Sequence, residues 1–336
     1  MIYNIDIAGT CNLRCPSCPV GNHDQQGYGL KRKSGFMDIQ MFEDILTKIG
    51  LEDSEPEIHL YNWGEPLLHP KYAEIVKLVM DRGWFCGVST NLSHENIDMR
   101  MVAKHLPNHF RVSLSGFYQD IYSKGHRNGQ VSLVKSNLYK LHHAIIKQHG
   151  FEFLSRLEVC YHVYKDNVEN DLFMMYSLCQ ELGYSFAPRW AILMPLEGML
   201  DYLSGNAKED MVRLDERLLI SVQEGMEIAK RNPLHDCPLR SNQTAINHDG
   251  SVSLCCTVYD EENNISSSFL QTPIQDLQRM KYAHKLCQTC MNYNLHSLAV
   301  SNGLNDWNKT GNQILSKLNA PYIINQNQNP PLDNRS

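Results

Sequence analysis

The sequence predicts an α/β fold, with a partial (βα)6 TIM-like barrel followed by a small C-terminal domain. Two observations predict the barrel. Six strand-like segments alternate with helix-like segments across residues 1–195, which is typical of a parallel sheet covered by helices. Polar residues also stand where several of these strands end. A third observation, a change near residue 200 to short elements and spaced cysteines, predicts the second domain.

The strand-like segments are apolar on one side only. In the fourth segment Phe110 and Val112 alternate with Arg111 and Ser113. One face therefore suits the covering helices, and we expect the polar face to line a lumen that holds a ligand. The predicted strands lie near residues 2–7, 57–62, 84–90, 109–115, 156–164 and 184–192. The predicted helices lie near residues 38–49, 71–82, 94–105, 131–148 and 168–182.

Four unusual segments follow the first four strands. They are the cysteine loop at 11–18, "NWGEP" at 62–66, "TN" at 90–91 and "SLSG" at 113–116. Parallel strands of a barrel end at one rim, where the chemistry of such barrels is found. We therefore expect these four segments to meet.

The C-terminal part is organised differently. We expect a helical connector over 196–236, with one amphipathic helix at 208–230, and a small metal-binding domain over 237–300. Residues 301–336 are predicted to form a C-terminal helix and a tail. From about residue 324 this tail is rich in Asn, Gln and Pro, a composition typical of disorder.

Composition excludes several classes of protein. A net charge of −6 offers no basic surface for nucleic acid or an anionic membrane. No apolar run reaches the roughly 18 residues of a membrane span, and no signal-peptide pattern is seen. We therefore expect a cytoplasmic protein, in which clustered cysteines serve metals or catalysis rather than disulfides. Cys86, Cys160 and Cys179 lie in apolar segments and are interpreted as buried side chains.

The first three cysteines, Cys11, Cys15 and Cys18, have the spacing C-x3-C-x2-C. Zinc, a disulfide and an iron–sulfur cluster are the alternatives. A structural zinc site needs four ligands, and no fourth His or Cys lies nearby in the sequence. Three thiolates suit a [4Fe–4S] cluster in which one iron stays open.

This spacing after the first strand, followed by "GEP" after the second, resembles the radical S-adenosylmethionine (radical SAM) superfamily over residues 1–195. The resemblance implies that Cys11, Cys15 and Cys18 bind a [4Fe–4S] cluster whose open iron chelates S-adenosylmethionine. It also implies reductive cleavage of that cofactor and a 5′-deoxyadenosyl radical that abstracts hydrogen from a substrate.

The resemblance extends to the residues that bind S-adenosylmethionine. The segment that receives the cofactor's ammonium matches Asn62, Trp63, Gly64, Glu65 and Pro66. Candidates for the ribose and carboxylate are Asn91, Ser113, Ser115 and Arg127, for which an ordinary role at strand ends is the alternative. Ser17 stands where the family often has an aromatic residue.

The C-terminal cysteines resemble the auxiliary-cluster extension called SPASM, or its shorter relative, the twitch domain. Cys237, Cys255, Cys287 and Cys290 match its spacing and imply one auxiliary [4Fe–4S] cluster, with zinc as the alternative. The neighbouring Cys256 could replace Cys255 as ligand, be inert, or donate a hydrogen atom to a substrate radical.

Other residues on the polar face are candidates for substrate binding. They are His162, Tyr164, Arg189 and Trp190, each with a structural role as the alternative.

The sequence thus favours an enzyme, a radical SAM oxidoreductase or epimerase. We expect dehydrogenation or epimerisation of an alcohol carbon in a sugar or aminocyclitol. The partners would be a small carbohydrate-like substrate and a reducing donor such as flavodoxin or ferredoxin. A peptide- or protein-modifying maturase is the alternative, although the chain starts at its first strand without a domain to hold a leader peptide. A non-enzymatic metal-binding module is disfavoured by the intact motifs.

Overall fold

The structure is a computed structural model that describes residues 1–16, 18–22, 34–300 and 305–317. Ser17 and the tail predicted to be disordered from residue 324 lie outside the described residues.

The described residues include one sheet, in which six parallel strands form the part predicted as a barrel. Neighbours in the chain are also neighbours in this part of the sheet, from β1 to β6. The α/β prediction with a TIM-like partial barrel is therefore confirmed. The strands are β1 (Ile2–Ile5), β2 (Glu57–His59), β3 (Phe85–Thr90), β4 (His109–Ser113), β5 (Leu157–Val163) and β6 (Ser185–Trp190).

Helices cover the outer face of these strands. They are α1 (Ile39–Glu52), α2 (Tyr72–Met80), α3 (Met99–Lys104), α4 (Gln119–Gly125), α5 (Val131–Gln148) and α6 (Asn170–Leu182). The first of them shows why these segments fold. The side chain of Asp38 accepts hydrogen bonds from the backbone N–H groups of Gln40 and Met41, which caps the helix. Its apolar residues Phe42, Ile45, Leu46 and Ile49 recur every three to four positions and are fully buried.

The C-terminal region extends the same sheet. Strand β7 (Gln243–Ile246) pairs in parallel with β1, and the short strands β8 (Val252–Ser253) and β9 (Asn264–Ser266) follow in antiparallel pairing. Strand β1 thus lies between β2 and β7. The cysteine-bearing segments that follow β7 and β1 therefore start from neighbouring strands.

The prediction of one helix over 208–230 is wrong. The structure has two helices, α8 (Glu209–Arg217) and α9 (Val222–Arg231). The chain breaks because Ser221 and Glu224 form a capping box that starts a new helix. Leu218, just before it, forms an isolated bridge with Tyr164 and is buried.

The remaining helices are short. They are α7 (Leu196–Leu203), α10 (Pro238–Ser241), α11 (Ile274–Ala283), α12 (Lys285–Asn292), α13 (Leu295–Ala299) and α14 (Asn305–Lys317). None of the helices within the described ranges has the length and apolar character that crossing a membrane requires.

Candidate active site

The loop after β1 is held against the loop after β2. Asp6 accepts hydrogen bonds from the backbone N–H groups of Trp63 (3.3 Å) and Gly64 (3.1 Å). The contact is close, because a Cβ atom on Gly64 would lie 1.5 Å from the carbonyl oxygen of Ala8. Glycine is therefore required at this position. The "NWGEP" segment and the cysteine loop form one unit.

Glu65 joins this unit to β3. Its buried carboxylate accepts hydrogen bonds from the Thr90 hydroxyl (2.6 Å), the Asn91 N–H (2.7 Å) and the Leu67 N–H (3.0 Å). Burial raises the pKa of Glu65 to about 7, although these three donors act to lower it. The carboxylate thus acts as a brace between strand ends.

Cys11, Cys15 and Cys18 lie together in the first of these loops. Burial raises the pKa of all three thiols, and in Cys11 the carboxylate of Glu65 and the other two thiols raise it further. Thiolates in such surroundings need a cationic partner, which a cluster core supplies. The Leu13 N–H lies 3.4 Å from the Cys11 sulfur, a contact typical of cysteine ligands. The donor set therefore fits an iron–sulfur cluster.

Within the described ranges, no three His, Cys, Asp or Glu side chains converge as closely as a single metal ion requires.

The candidates for the ribose and carboxylate of S-adenosylmethionine differ in their contacts. The Asn91 amide donates to the Cys11 sulfur (3.6 Å) and to Asn12 (3.0 Å). Arg127 donates to the Arg14 carbonyl (2.9 Å) and pairs with Asp210 (3.1 Å), so it braces the cysteine loop. Ser113 ends β4 and is half-buried.

The polar face of the strands carries a half-buried ionic group that the sequence did not single out. Arg111 and Glu158 stand opposite each other in β4 and β5, with Arg111 Nε 2.8 Å from Glu158 Oε1. Burial acts to raise the pKa of Glu158, but His109, Arg111 and Arg189 lower it to about 2. The alternation of polar and apolar residues predicts that each of the two side chains lies on the polar face. That they are partners follows only from the register of the two strands.

His162 lies nearer the rim on the same face. Its backbone N–H donates to the Ser115 hydroxyl (3.0 Å), and its Nδ1 lies 3.2 Å from the same oxygen. Burial, together with the charges of Arg111 and Arg189, lowers the pKa of His162 to about 4, so the imidazole is neutral near pH 7.

Tyr164 and Trp190 are placed differently. Tyr164 follows β5, and the guanidinium of Arg217 lies over its ring, 4.8 Å from the ring centre. Burial raises the pKa of its phenol to about 12. The indole of Trp190 is buried and donates to Asn308 in α14 (2.8 Å), which ties it to the C-terminal helix.

The C-terminal cysteines form a second group of thiols. Cys237 precedes α10, Cys255 follows β8, and Cys287 and Cys290 lie on α12. Burial raises the pKa of Cys290, and the thiols of Cys255, Cys237 and Cys287 raise it further. The four sulfurs are therefore electrostatic neighbours, and their chemistry fits a four-thiolate cluster.

Cys256 is a neighbour of this group and of a second one. Burial raises the pKa of Cys256, and the thiols of Cys255 and Cys237 raise it further. Its thiol is among the groups that raise the pKa of Tyr61, together with Glu158 and Cys160. The Tyr61 hydroxyl lies 2.8 Å from Nδ1 of His59. Cys256 is thus close to the polar face of the strands.

Direct hydrogen bonds join the two thiol-bearing regions. The Trp63 indole N–H donates to the Val258 carbonyl (3.3 Å). The Asn62 amide, in the orientation that satisfies both its polar atoms, donates to the Cys256 carbonyl (3.1 Å). The "NWGEP" segment therefore touches both regions.

Comparison with known families finds a match in the first part of the chain. Residues 5–153 match the radical SAM superfamily. The tungsten-containing aldehyde ferredoxin oxidoreductase cofactor-modifying protein of Pyrococcus furiosus is 33% identical over 92 residues, which are 26% of this chain and 22% of that protein. The match thus spans about a fifth of the length of that relative.

Solved structures share the fold at low identity. BtrN, solved with AdoMet and 2-DOIA, has a TM-score of 0.50 and 13% identity, with 87% of this chain and 85% of BtrN covered. Streptococcus suis SuiB bound to the precursor peptide SuiA has a TM-score of 0.55 and 12% identity, covering 86% of this chain and 66% of SuiB. For anSMEcpe with bound AdoMet the TM-score is 0.52 and the identity 14%, covering 86% of this chain and 82% of anSMEcpe.

Proposed function

We propose, from the premise that residues 5–153 form a radical SAM domain, that this chain abstracts hydrogen from a small polar substrate. The proposed reaction is dehydrogenation or epimerisation of an alcohol carbon in a sugar or aminocyclitol. The observation that carries the proposal is the meeting of a three-thiol loop with a polar strand face. That face bears Arg111, Glu158 and His162 and lies beside Cys256.

Cys11, Cys15 and Cys18 would hold the [4Fe–4S] cluster that the superfamily implies. Bound there, the cluster and S-adenosylmethionine would supply a hydrogen-abstracting radical. In the described part of the chain, the carbonyl oxygens of Asn62 and Gly64 accept no hydrogen bond. They would therefore receive the cofactor's ammonium, while Trp63, Glu65 and Pro66 fix the segment.

The other cofactor contacts are assigned by whether each side chain already has a hydrogen-bond partner among the described residues. Among the described residues, the Ser113 hydroxyl has no hydrogen-bond partner, so it is our first candidate for the ribose. Asn91, Ser115 and Arg127 are held by protein partners and would act mainly by shaping the site.

His162 would bind the substrate hydroxyl. Its Nδ1 is engaged by Ser115, and within the described ranges its Nε2 has no partner. A neutral imidazole with a free Nε2 can accept the hydroxyl proton that dehydrogenation releases, and the proposed auxiliary cluster would accept the electron left on the substrate radical. Arg189, whose guanidinium lies 4.0 Å from Glu158, would hold a second polar group of the substrate. Tyr164 and Trp190 would form the edge of the substrate site.

Cys237, Cys255, Cys287 and Cys290 would hold an auxiliary [4Fe–4S] cluster in a SPASM- or twitch-like region. Cys255 rather than Cys256 fits as the ligand, because Cys255 is among the thiols that raise the pKa of Cys290. Cys256 would then be free to donate a hydrogen atom from its sulfur, a step that belongs to epimerisation. A reduced flavodoxin or ferredoxin would supply electrons.

Peptide modification is the second candidate, since the fold is as similar to SuiB as to BtrN. A mass measurement separates the reactions. Reduced enzyme is incubated with S-adenosylmethionine and a small-molecule extract in deuterated water. We expect a carbohydrate that loses two hydrogen atoms (dehydrogenation) or has one hydrogen replaced by deuterium (epimerisation). A mass change confined to added peptides would contradict the proposal.

The role of Cys256 has its own test. Cys256→Ala should abolish deuterium gain while leaving iron content unchanged. Cys86→Ala, which removes a buried thiol from β3, is the matched control and should keep both. Deuterium gain that survives in Cys256→Ala would refute the donor assignment.

A further inference from the structure

Lys281 is a lysine in an unusual place. It lies on α11, its side chain is fully buried, and its ammonium donates a hydrogen bond to the Gln243 carbonyl at the start of β7. Lysine is rarely buried without a partner of opposite charge, because removing an ammonium from water is costly.

The described part of the chain gives Lys281 no carboxylate partner. No salt bridge to it occurs among those residues, and its one hydrogen-bond acceptor is a neutral carbonyl. Two other cationic side chains do have a carboxylate partner. Lys48 pairs with Glu52 (2.8 Å), and Arg240 pairs with Asp236 (2.5 Å). The missing negative charge must come from another source.

The surroundings of Lys281 supply candidates for that charge. Burial acts to lower the pKa of its ammonium and the thiols of Cys255, Cys256, Cys287 and Cys237 act to raise it, with a net value of about 8. The elements agree, since α11 packs against both α10 and α12, which follow Cys237 and carry Cys287 respectively. Thiols are neutral, and they become anionic when they bind a metal.

We infer that Lys281 is the built-in counter-ion of an anionic cluster held by Cys237, Cys255, Cys287 and Cys290, and that it raises the reduction potential of that cluster. This inference rests on the proposed auxiliary cluster. Four thiolates outweigh the charge of an iron–sulfur core, so the assembly is negative, and reduction adds another negative charge. A nearby fixed cation therefore stabilises the reduced form more than the oxidised form.

Arg240 adds to the same field from the surface side. Its Nη1 lies 3.9 Å from the Cys287 sulfur, and its guanidinium lies 4.1 Å from the centre of the Tyr282 ring. Because Asp236 balances its charge, we assign the larger effect on potential to Lys281.

The test uses full-length protein in which Cys11, Cys15 and Cys18 are changed to alanine, so that the auxiliary cluster alone is observed. Iron and zinc are counted first, and the potential is then measured by titration with spectroscopic detection. In Lys281→Met we expect the reduced-to-oxidised ratio at fixed potential to fall about tenfold, which is ~59 mV for one electron. Lys48→Met, which removes a lysine that also donates to a carbonyl, is the matched control and should not change it.

Each outcome decides the matter. An unchanged potential in Lys281→Met with iron retained overturns the inference and leaves the auxiliary cluster standing. Zinc in place of iron overturns the auxiliary cluster and the inference with it. If Lys281→Met cannot hold iron, Lys281→Arg decides: iron retained by the arginine variant supports a need for charge, and iron lost from both variants overturns it.

Discussion

Glu65 and Gly64 show how single residues set the geometry of the site. The Glu65 carboxylate connects the ends of β2 and β3, and Gly64 lets the backbone of one loop touch the other. Neither needs to touch a substrate to matter. Both fix where the three thiols stand relative to the carbonyl oxygens that would receive a cofactor.

Gly64→Ala should abolish cofactor cleavage. The added Cβ would lie 1.5 Å from the Ala8 carbonyl oxygen, so the two loops must separate. We expect loss of the cluster at Cys11, Cys15 and Cys18, seen as about half the iron of wild type, with the fold retained by circular dichroism. Gly125→Ala is the control, because a Cβ there meets nothing within 4 Å. Normal iron in Gly64→Ala would refute the close-contact argument.

At the scale of elements, the strand register brings together side chains that lie on separate strands. Arg111 on β4 and Glu158 on β5 become partners because they are opposite each other, and His109 and Arg189 complete the group. Breaking such a pair leaves a buried charge without compensation.

The Glu158 group should make stability depend on acid pH. Its folded-state pKa of about 2 lies below the ordinary value of 4.5. A depressed carboxyl pKa contributes stability that is present above pH 4.5 and is lost as the pH falls toward 2. We expect wild type to lose at most about 3 kcal/mol of unfolding free energy through this group across that range.

Urea unfolding at a series of pH values measures this loss. Glu158→Gln should be less stable at pH 7 and should show a shallower decline below pH 4.5. Glu55→Gln, at an exposed carboxylate, is the control and should follow wild type. Parallel pH curves for wild type and Glu158→Gln would show that the carboxylate is not held by its neighbours.

The break between α8 and α9 is a second feature at this scale. Ser221→Ala removes the side-chain half of the capping box and should lower stability by about 1 kcal/mol. Thermal or urea unfolding would measure it. Ser177→Ala, in the exposed middle of α6, should have a smaller effect; equal losses in both variants would argue against the cap.

Sequence patterns predicted the elements well where one face is buried. The alternation of β1 to β6 with helices, and the polar residues at the strand ends, were both readable. The break at 218–220 was not, because Leu218, Leu219 and Ile220 also fit the apolar face of a continuous helix. The Arg111–Glu158 pair was not predicted, because the residues of either strand alone do not determine the register between the two strands.

At the scale of the whole molecule, the pairing of β7 with β1 determines how the C-terminal region joins the first part of the chain. It brings the C-terminal region that carries the second set of thiols against the loop after β2, where hydrogen bonds from Asn62 and Trp63 join the two regions. This pairing could not be predicted from the sequence, because the residues of a four-residue strand do not indicate which strand it pairs with. Lys281 was missed for a similar reason: a lysine on an amphipathic helix suggests an exposed side chain.

Release of 5′-deoxyadenosine from S-adenosylmethionine is the measurement that tests the central claim most directly. Anaerobically reconstituted wild type, given a strong reductant, should release it. Cys15→Ala should release none while keeping about four irons at the second set of cysteines. Wild type that holds about eight irons and still cleaves no S-adenosylmethionine would contradict the account.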